Sequence, residues 1–313
     1  MPEWKILITD GLEENGLSIL RASAQVDDRK GISAEELGEV IGGFDALIVR
    51  SRTKVTAEVF AAGKQLKVVG RAGVGVDNID LAAANQHGIR VVNTPRATSQ
   101  AVAEHCLALI LALARAIPSA DAGMKSGQWL KNDLMGIEVQ GKVLGVIGMG
   151  NIGSTITRLA NAVGMIVKGY DPLIPAEEIQ KRGAIPTPLN DLYSQADFIT
   201  LHVPLSAETR NMINGQSLAT MKRGVRLVCA ARGGIIDETA LLGALESGQV
   251  AGAALDVFVK EPPGISALVT HPRVIATPHI GAQTREAQAR AASDIAEEVL
   301  AALNGQTLRW KVV

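Results

Sequence analysis

Three loops in the C-terminal third of the chain each follow an apolar, strand-like run, and each carries a residue type suited to acid–base or anion chemistry. The first is Ala230-Ala231-Arg232-Gly233-Gly234-Ile235-Ile236-Asp237. The second is Asp256-Val257-Phe258 continuing to Glu261-Pro262-Pro263, and the third is Thr277-Pro278-His279-Ile280-Gly281-Ala282. Histidine titrates near neutrality and is the natural group to take or give a proton. A carboxylate beside it favours the imidazolium, by about 1.4 kcal/mol per unit of pKa shift. Arginine meets a carboxylate with a two-pronged geometry that lysine cannot match. Each residue alone also has a plain structural reading: a histidine after a proline, an Arg-Gly-Gly turn, a solvated loop acid. Their joint placement weakens those readings, because an open parallel sheet binds its ligands beyond the carboxyl ends of its strands. Arg232, Glu261 and His279 are therefore the candidate catalytic set.

The element that must position them opens in the middle of the chain. Val143-Leu144-Gly145-Val146-Ile147 reads as a buried parallel strand and runs into Gly148-Met149-Gly150-Asn151-Ile152-Gly153. Ser154 to Val163 reads as the following helix. Asp171 comes 18 residues after Gly153, at the end of a second strand-like stretch, Met165 to Tyr170. In such a fingerprint Gly148 permits the tight turn, Gly150 lets a pyrophosphate approach the backbone, and Gly153 lets helix pack on strand. The helix N-terminus faces the phosphates and the acid takes the ribose hydroxyls. A bare G-x-G-x-x-G occurs by chance; strand, helix and acid together indicate a dinucleotide site. Pro172 follows Asp171, with no adjacent arginine to receive a 2′-phosphate. Two like charges about 4 Å apart cost on the order of 4 kcal/mol at an effective dielectric near 20, so NAD is expected over NADP. With a nicotinamide nearby, the trio suits a 2-hydroxy acid: moving a hydride from its carbon requires moving a proton from its oxygen.

Length suggests about two domains. The chain is rich in small aliphatics and poor in aromatics (3%), the texture of parallel sheets covered by helices. Its 31 basic residues nearly cancel its 32 acidic ones, so neither nucleic acid nor an anionic membrane is an expected partner. Cys106 and Cys229 lie in apolar stretches and read as buried free thiols suited to a reducing cytoplasm. Met1 to Trp4 runs directly into a strand-like Lys5–Thr9, so no targeting segment is expected. The apolar run Cys106 to Ala114 is too short for a membrane span. No metal is expected.

Further strands are expected at Ala46–Val49, Leu66–Gly70 and Ile89–Asn93, with helical stretches at Ala34–Ile41 and Thr56–Ala62. A long helix follows over Ser99 to Ala116, then a mixed helix and extended arm over Ser119–Gln140. After the fingerprint strand, the rhythm continues at Ile166–Tyr170, Phe198–Val203, Val225–Cys229, Ala251–Asp256 and Val274–Thr277, six strands in all. A last alanine-rich helix, Arg285 to Leu303, is expected to cross back to the first domain.

The chain resembles the D-isomer-specific 2-hydroxyacid dehydrogenases over nearly its full length. The matching stretches are Val49-Arg50-Ser51-Arg52-Thr53, Gly70 through Asn78, Asn93-Thr94-Pro95, Cys229 through Asp237, Gly252 through Phe258, Glu261-Pro262-Pro263 and Pro278 through Ala282. The resemblance implies an α/β fold in which a Rossmann NAD-binding domain, residues 99–284, is inserted into a flavodoxin-like α/β substrate-binding domain, residues 1–98 and 285–313. It implies an active site in the cleft between them and repeats the order Arg232, Glu261, His279. It further implies that Asn151 and Ile152 present the fingerprint helix to the pyrophosphate and that Val203, Pro204, Ala230 and Ala231 line the cofactor groove. Asp256, Gly281 and Ala282 would meet the nicotinamide carboxamide, and Val74 its face. The loop Arg71-Ala72-Gly73-Val74-Gly75 would offer N–H groups to the substrate carboxylate.

Within the family the loops are most similar to the branch that oxidises D-3-phosphoglycerate, the first step of serine synthesis. A phosphorylated substrate needs more cations. Arg50 and Arg52, two residues apart at a strand end, are expected on one face; Arg71 ends another strand. Lys131 lies where some relatives lend a base from a neighbouring subunit, and an ordinary surface charge is the competing reading. The chain ends at Val313, just past the last helix, so a C-terminal regulatory domain and serine inhibition are not expected. The sister hydroxypyruvate and glyoxylate reductases are the nearest alternative. An NAD-sensing corepressor is the alternative of another class, disfavoured because its longer tail and docking features are not seen. The apolar helix around Cys106–Ala114 and the following arm are where the family dimerises. A homodimer is expected and a tetramer stays open.

Overall fold

Among the described residues, twelve strands form two separate sheets, and every pairing within each sheet is parallel. The computed structural model describes residues 4–313; Met1–Glu3, on which part of the targeting expectation rests, lie outside the described residues. The chain divides into unit 1, Met1–Thr98 with Gln283–Val313, and unit 2, Ser99–Ala282.

Unit 1 holds β1 (Trp4–Ile8), β2 (Ala24–Asp28), β3 (Ala46–Val49), β4 (Val68–Arg71) and β5 (Arg90–Asn93), in the order β2-β1-β3-β4-β5. This is the flavodoxin-like order, which reverses between β1 and β3. Alternation divides the strand residues between two cores. Ile6, Ile8 and Ile48 pack with Leu20, Ile295 and Val299, while Leu7, Leu47 and Val49 pack with Leu37, Ile41 and Phe60. The helix Arg285–Leu303 covers the first face. Its alanines and two glycines facing it set the fit: a Cβ on Gly16 would lie 2.5 Å from Ala292 O, and one on Gly70 2.6 Å from Val299 Cγ2.

β2 was not expected from the sequence. It is an edge strand reading Ala-Gln-Val-Asp-Asp, and only Ala24 is buried, so it lacks the apolar run that marks an inner strand.

Unit 2 holds β6 (Val143–Ile147), β7 (Ile166–Tyr170), β8 (Ile185–Pro186), β9 (Phe198–Leu201), β10 (Val225–Cys229), β11 (Val250–Leu255) and β12 (Val274–Ala276). The order β12-β11-β10-β9-β6-β7-β8 is the doubly wound arrangement, extended at one edge by β12 and reversing between β6 and β9. There are seven strands rather than the expected six, because the two-residue β8 carries no apolar signature. The inner strands are buried on both faces. Leu144, Val146, Phe198 and Val228 meet Cys106, Ile110 and Ile156 on one side, and Ile199, Leu201, Leu227 and Leu255 meet Leu192, Leu241 and Leu245 on the other. Cys106 and Cys229 are buried free thiols. No single helix among the described residues is long and apolar enough to cross a membrane.

Candidate active site

The reversal in unit 2 falls between β6 and β9, and the loops beyond both strands interlock there. Gly148 adopts φ +91°, a region L side chains rarely enter, and a Cβ on it would lie 2.6 Å from His202 O. Gly153 is the close-packing glycine: its Cβ would lie 1.9 Å from Gly148 O. Gly150 differs. Its φ is −66°, and a Cβ there would meet nothing within 4 Å. Neither backbone conformation nor any neighbour demands glycine at position 150. The space beside Gly150, at the start of helix Asn151–Ala162, is open, as an approaching pyrophosphate would need. Asn151 is exposed there and Ile152 half-buried.

Asp171 follows β7 and accepts Met149 N–H at 2.9 Å through Oδ2 and Leu173 N–H at 2.9 Å through Oδ1. A carboxylate offers about four lone-pair sites, so acceptor capacity remains for ribose hydroxyls. The arginine that reaches this loop, Arg182, donates to Met149 O and to Glu178 Oε1. Val203 and Pro204 follow β9, Val203 half-buried and Pro204 exposed; Ala230, buried, and Ala231, half-buried, follow β10. His202 is buried enough that its pKa is pushed down to about 4, and its Nε2 shares a hydrogen bond with Thr200 Oγ1 at 2.9 Å.

β10, β11 and β12 are adjacent and parallel, so the loops beyond them leave the same edge of the sheet. The loop after β10 carries Arg232, whose Nη1 donates to Ala231 O at 2.6 Å. That loop abuts the next one at Gly233, where a Cβ would lie only 1.9 Å from Phe258 O. Glu238, at the start of helix Glu238–Glu246, ties the same two loops together by accepting Val259 N–H at 2.8 Å. Glu261 accepts Phe258 N–H at 3.1 Å through Oε1, and its Oε2 lies 2.8 Å from His279 Nδ1. The expected Glu–His pair is thus assembled from two different loops.

An ionised carboxylate can only accept, so His279 Nδ1 carries the proton and Nε2 is left as the basic nitrogen. The side chains of His279 and Glu261 are 46% and 38% exposed, so this hydrogen bond contributes little to folding. What it fixes is ring orientation and tautomer.

His279 has φ +54°, in the left-handed region where histidine is among the enriched non-glycine residues. Asp256 holds the loop on both sides of it. It accepts Thr277 O–H at 2.6 Å and Ile280 N–H at 2.9 Å on Oδ1, and Gly281 N–H at 2.8 Å on Oδ2. Asp256 is 1% exposed. Burial pushes its pKa up, but hydrogen bonds from His105, Thr277, Ile280 and Gly281 outweigh that and hold it below the usual carboxylate value. Asp256 was expected to face a ligand, and its evident work in this structure is to secure the His279 loop. Gly281 is buried and Ala282 half-buried.

The first-domain candidates gather at the reversal point of unit 1. Arg50 and Arg52 follow β3, and Thr9 and Asp10 follow β1. The expectation that the two arginines share a strand face is corrected: β3 ends at Val49, so strand alternation does not reach them. Arg50 donates to Gln288 Oε1, while Arg52 donates to Thr9 O at 2.8 Å and Ile32 O at 3.2 Å. Asp10, missed from the sequence, organises this loop. It takes Arg50 N–H and Thr53 N–H on Oδ2 and Thr53 O–H on Oδ1, and pairs with Arg52 Nη2 at 3.1 Å. Asn78, also missed, donates to Arg50 O and Thr53 O.

Gly73 has φ +144°, and a Cβ there would collide with the Arg71 guanidinium at 1.4 Å, so only glycine lets Arg71 fold over it. Val74 is half-buried, and its carbonyl accepts from Asn93 Nδ2 at 2.6 Å. Lys131 lies exposed in the arm beyond the helix Ile117–Lys125.

The family model of the D-isomer specific 2-hydroxyacid dehydrogenase NAD binding domain matches residues 107–281, more than half of the chain. The chain belongs to this dehydrogenase family. Its unit 2 is the family's NAD-binding Rossmann domain, and the fingerprint glycines and Asp171 fit that cofactor. Curated relatives of this family member include D-3-phosphoglycerate dehydrogenases. The one from Synechocystis sp. is 48% identical over 308 residues, covering 98% of this chain and 56% of that protein. The one from Methanocaldococcus jannaschii is 49% identical over 303 residues, covering 96% and 58%. The chain spans about half the length of the curated relatives it matches. Among solved structures, a glyoxylate reductase from Paecilomyes thermophila superposes with a TM-score of 0.91 at 31% identity, covering 100% of this chain and 99% of that one.

Proposed function

We propose that this dehydrogenase oxidises D-3-phosphoglycerate to 3-phosphohydroxypyruvate with NAD, the first step of serine synthesis. The observation that carries the chemistry is the 2.8 Å contact between His279 Nδ1 and Glu261 Oε2, which leaves His279 Nε2 as a base. Bound NAD supplies the hydride acceptor. His279 Nε2 takes the proton of the substrate's 2-hydroxyl as C2–H is lost, and Glu261 stabilises the imidazolium that forms. Arg232 is assigned the substrate carboxylate. When bound, NAD would run along a groove lined by Val203, Pro204, Ala230 and Ala231, and Asp256, Gly281 and Ala282 would secure its carboxamide end. In this reading residues 1–98 and 285–313 form the substrate-binding domain and residues 99–284 the NAD-binding domain.

Arg50 and Arg52 are assigned the phosphate, with Arg71 and Lys131 as further cations. Their support is position, since the loops at a reversal of strand order are where open α/β sheets bind ligands. The names of relatives at 48–49% identity favour the phosphorylated substrate. One observation favours hydroxypyruvate or glyoxylate instead: the Arg52 guanidinium is bound to Thr9, Ile32, Thr53 and Asp10. A second copy of the chain is the proposed partner. Ile117, Met124, Trp129 and Met135 expose large apolar side chains along the helix Ile117–Lys125 and the arm after it.

The test compares NADH formation from D-3-phosphoglycerate with NADH consumption on phosphohydroxypyruvate, hydroxypyruvate and glyoxylate. Preference for the phosphorylated pair, with Arg52→Ala raising only its KM, supports the assignment. Preference for the unphosphorylated acids moves the function to the sister reductases. NADH binding without turnover of any of them returns the corepressor alternative.

A further inference from the structure

His105 plays no part in the chemistry above, yet its ring points into the polar cluster beneath the His279 loop. It sits on the helix Ser99–Arg115, more than 150 residues from the loop, with its side chain 18% exposed. Its Nε2 lies 3.2 Å from Thr277 Oγ1 and 3.5 Å from Asp256 Oδ1. The direction of these bonds follows from counting protons. Asp256 is ionised and 2.6 Å from Thr277 Oγ1, so the hydroxyl gives its single proton to the carboxylate. Thr277 Oγ1 must then accept, which requires the proton of His105 on Nε2. The chain of donors runs His105 to Thr277 to Asp256, and the Ile280 and Gly281 amides donate to the same carboxylate.

Those contacts lie on both sides of His279, whose left-handed backbone persists only where its surroundings over-determine it. Space around the cluster is tight. A Cβ on Gly281 would lie 3.1 Å from Asp256 Oδ2 and 3.7 Å from His105 Cδ2.

We propose that His105 is a positioning residue: by donating to Thr277 and Asp256 it holds the loop that carries His279. This rests on the reading of His279 as the proton acceptor. It assigns His105 no contact with substrate or cofactor. Its loss is therefore expected in kcat rather than in the KM for the hydroxy acid.

The test is a kinetic cycle on the whole chain with His105→Ala, His105→Gln, Thr277→Val and the double variant His105→Ala/Thr277→Val, with His279→Asn measured alongside. His105→Ala should lower kcat about tenfold, short of the roughly 100-fold of a 1 Å misplacement, at nearly unchanged KM. His105→Gln, which keeps a donor at similar reach, should recover most of that loss. The double variant should be no worse than the more impaired single variant, because both changes break one chain of bonds. Equal kcat in His105→Ala and wild type, no recovery by Gln, or full additivity would overturn the inference.

Where His105→Ala does not fold, exchange of the Ile280 and Gly281 amides in His105→Gln decides. Protection near the wild-type level supports the donor role, and exchange as fast as in Thr277→Val overturns it. If His279→Asn keeps full kcat, the catalytic reading fails instead. The amide exchange then still reports on the positioning role alone.

Discussion

A single methyl group at position 233 should separate folding from catalysis in this protein. A Cβ built on Gly233 lies 1.9 Å from Phe258 O, 2.1 Å from Phe258 C and 2.7 Å from Val259 N. Side-chain carbons do not approach such atoms closer than 3.0 Å, so the two loops must part by about 1.1 Å. All three obstructing atoms are backbone, so no rotamer change relieves them. The displaced segment includes Phe258, whose N–H is bonded to the Glu261 carboxylate, and Val259, whose N–H is held by Glu238. The Arg232 loop would therefore move against the loop that carries Glu261. A misplacement of about 1 Å costs roughly 100-fold in rate, equivalent to about 2.7 kcal/mol in the barrier.

Overpacking should cost folding only about 1–3 kcal/mol, leaving the protein folded at 25 °C. The assay is kcat from NADH absorbance beside a thermal melt. Gly243→Ala serves as the control, because a Cβ on that helical glycine meets nothing within 4 Å. If folded Gly233→Ala keeps kcat within about threefold of wild type, the coupling of the Arg232 and Glu261 loops is wrong.

Three further outcomes follow from the site. His202 is held neutral by burial, its pKa depressed from 6.5 to about 4. The unfolded chain binds that proton first, so stability is full above about pH 6.5 and falls as pH drops toward 4. The loss is about 2 kcal/mol at pH 5 relative to pH 8, and urea titrations should show it shrink in His202→Asn. An unchanged pH dependence in that variant would contradict the assignment. Burial raises the Cys106 and Cys229 thiols to about 12 and 11, so a disulfide thiol reagent at pH 8 should label neither until denaturant is added. Rapid labelling of the native protein would contradict that burial. Gly150→Ala should melt like wild type but bind NADH at least about tenfold more weakly, a loss of about 1.4 kcal/mol. Unchanged affinity by fluorescence titration would remove the pyrophosphate as the reason for that glycine.

The parts of the fold visible in the sequence were those with a one-dimensional signature. β6, β9, β10 and β11 are buried on both faces and read as short apolar runs. The fingerprint was legible because its glycines recur at fixed spacing, with Gly148 needed for a left-handed turn and Gly153 for close packing. β2 and β8 were not, since edge strands need bury little. The Glu261–His279 contact could be anticipated only from the rule that neighbouring parallel strands deliver their loops to one edge.

The side-chain networks in the two units had no such rule. His105 reaches Thr277 across 172 positions, and Asp10 organises Arg50, Arg52 and Thr53 across about forty. Neither pairing leaves a local pattern: one joins a helix to the loop after β12, the other joins the loops after β1 and β3. The misassigned shared face of Arg50 and Arg52 has the same origin: alternation holds only while the strand continues, and β3 stops at Val49.

Whether His279, oriented by Glu261, accepts the substrate's proton is open to a kinetic test. The deciding quantity is kcat for NADH formation from D-3-phosphoglycerate by wild type and by His279→Asn, with NADH affinity measured in the same samples. Asparagine tolerates the left-handed backbone at this position, so the loop should survive the change. A fall in kcat of about 10²- to 10⁴-fold with NADH affinity retained is the predicted result. Turnover near the wild-type rate in the folded variant would contradict it.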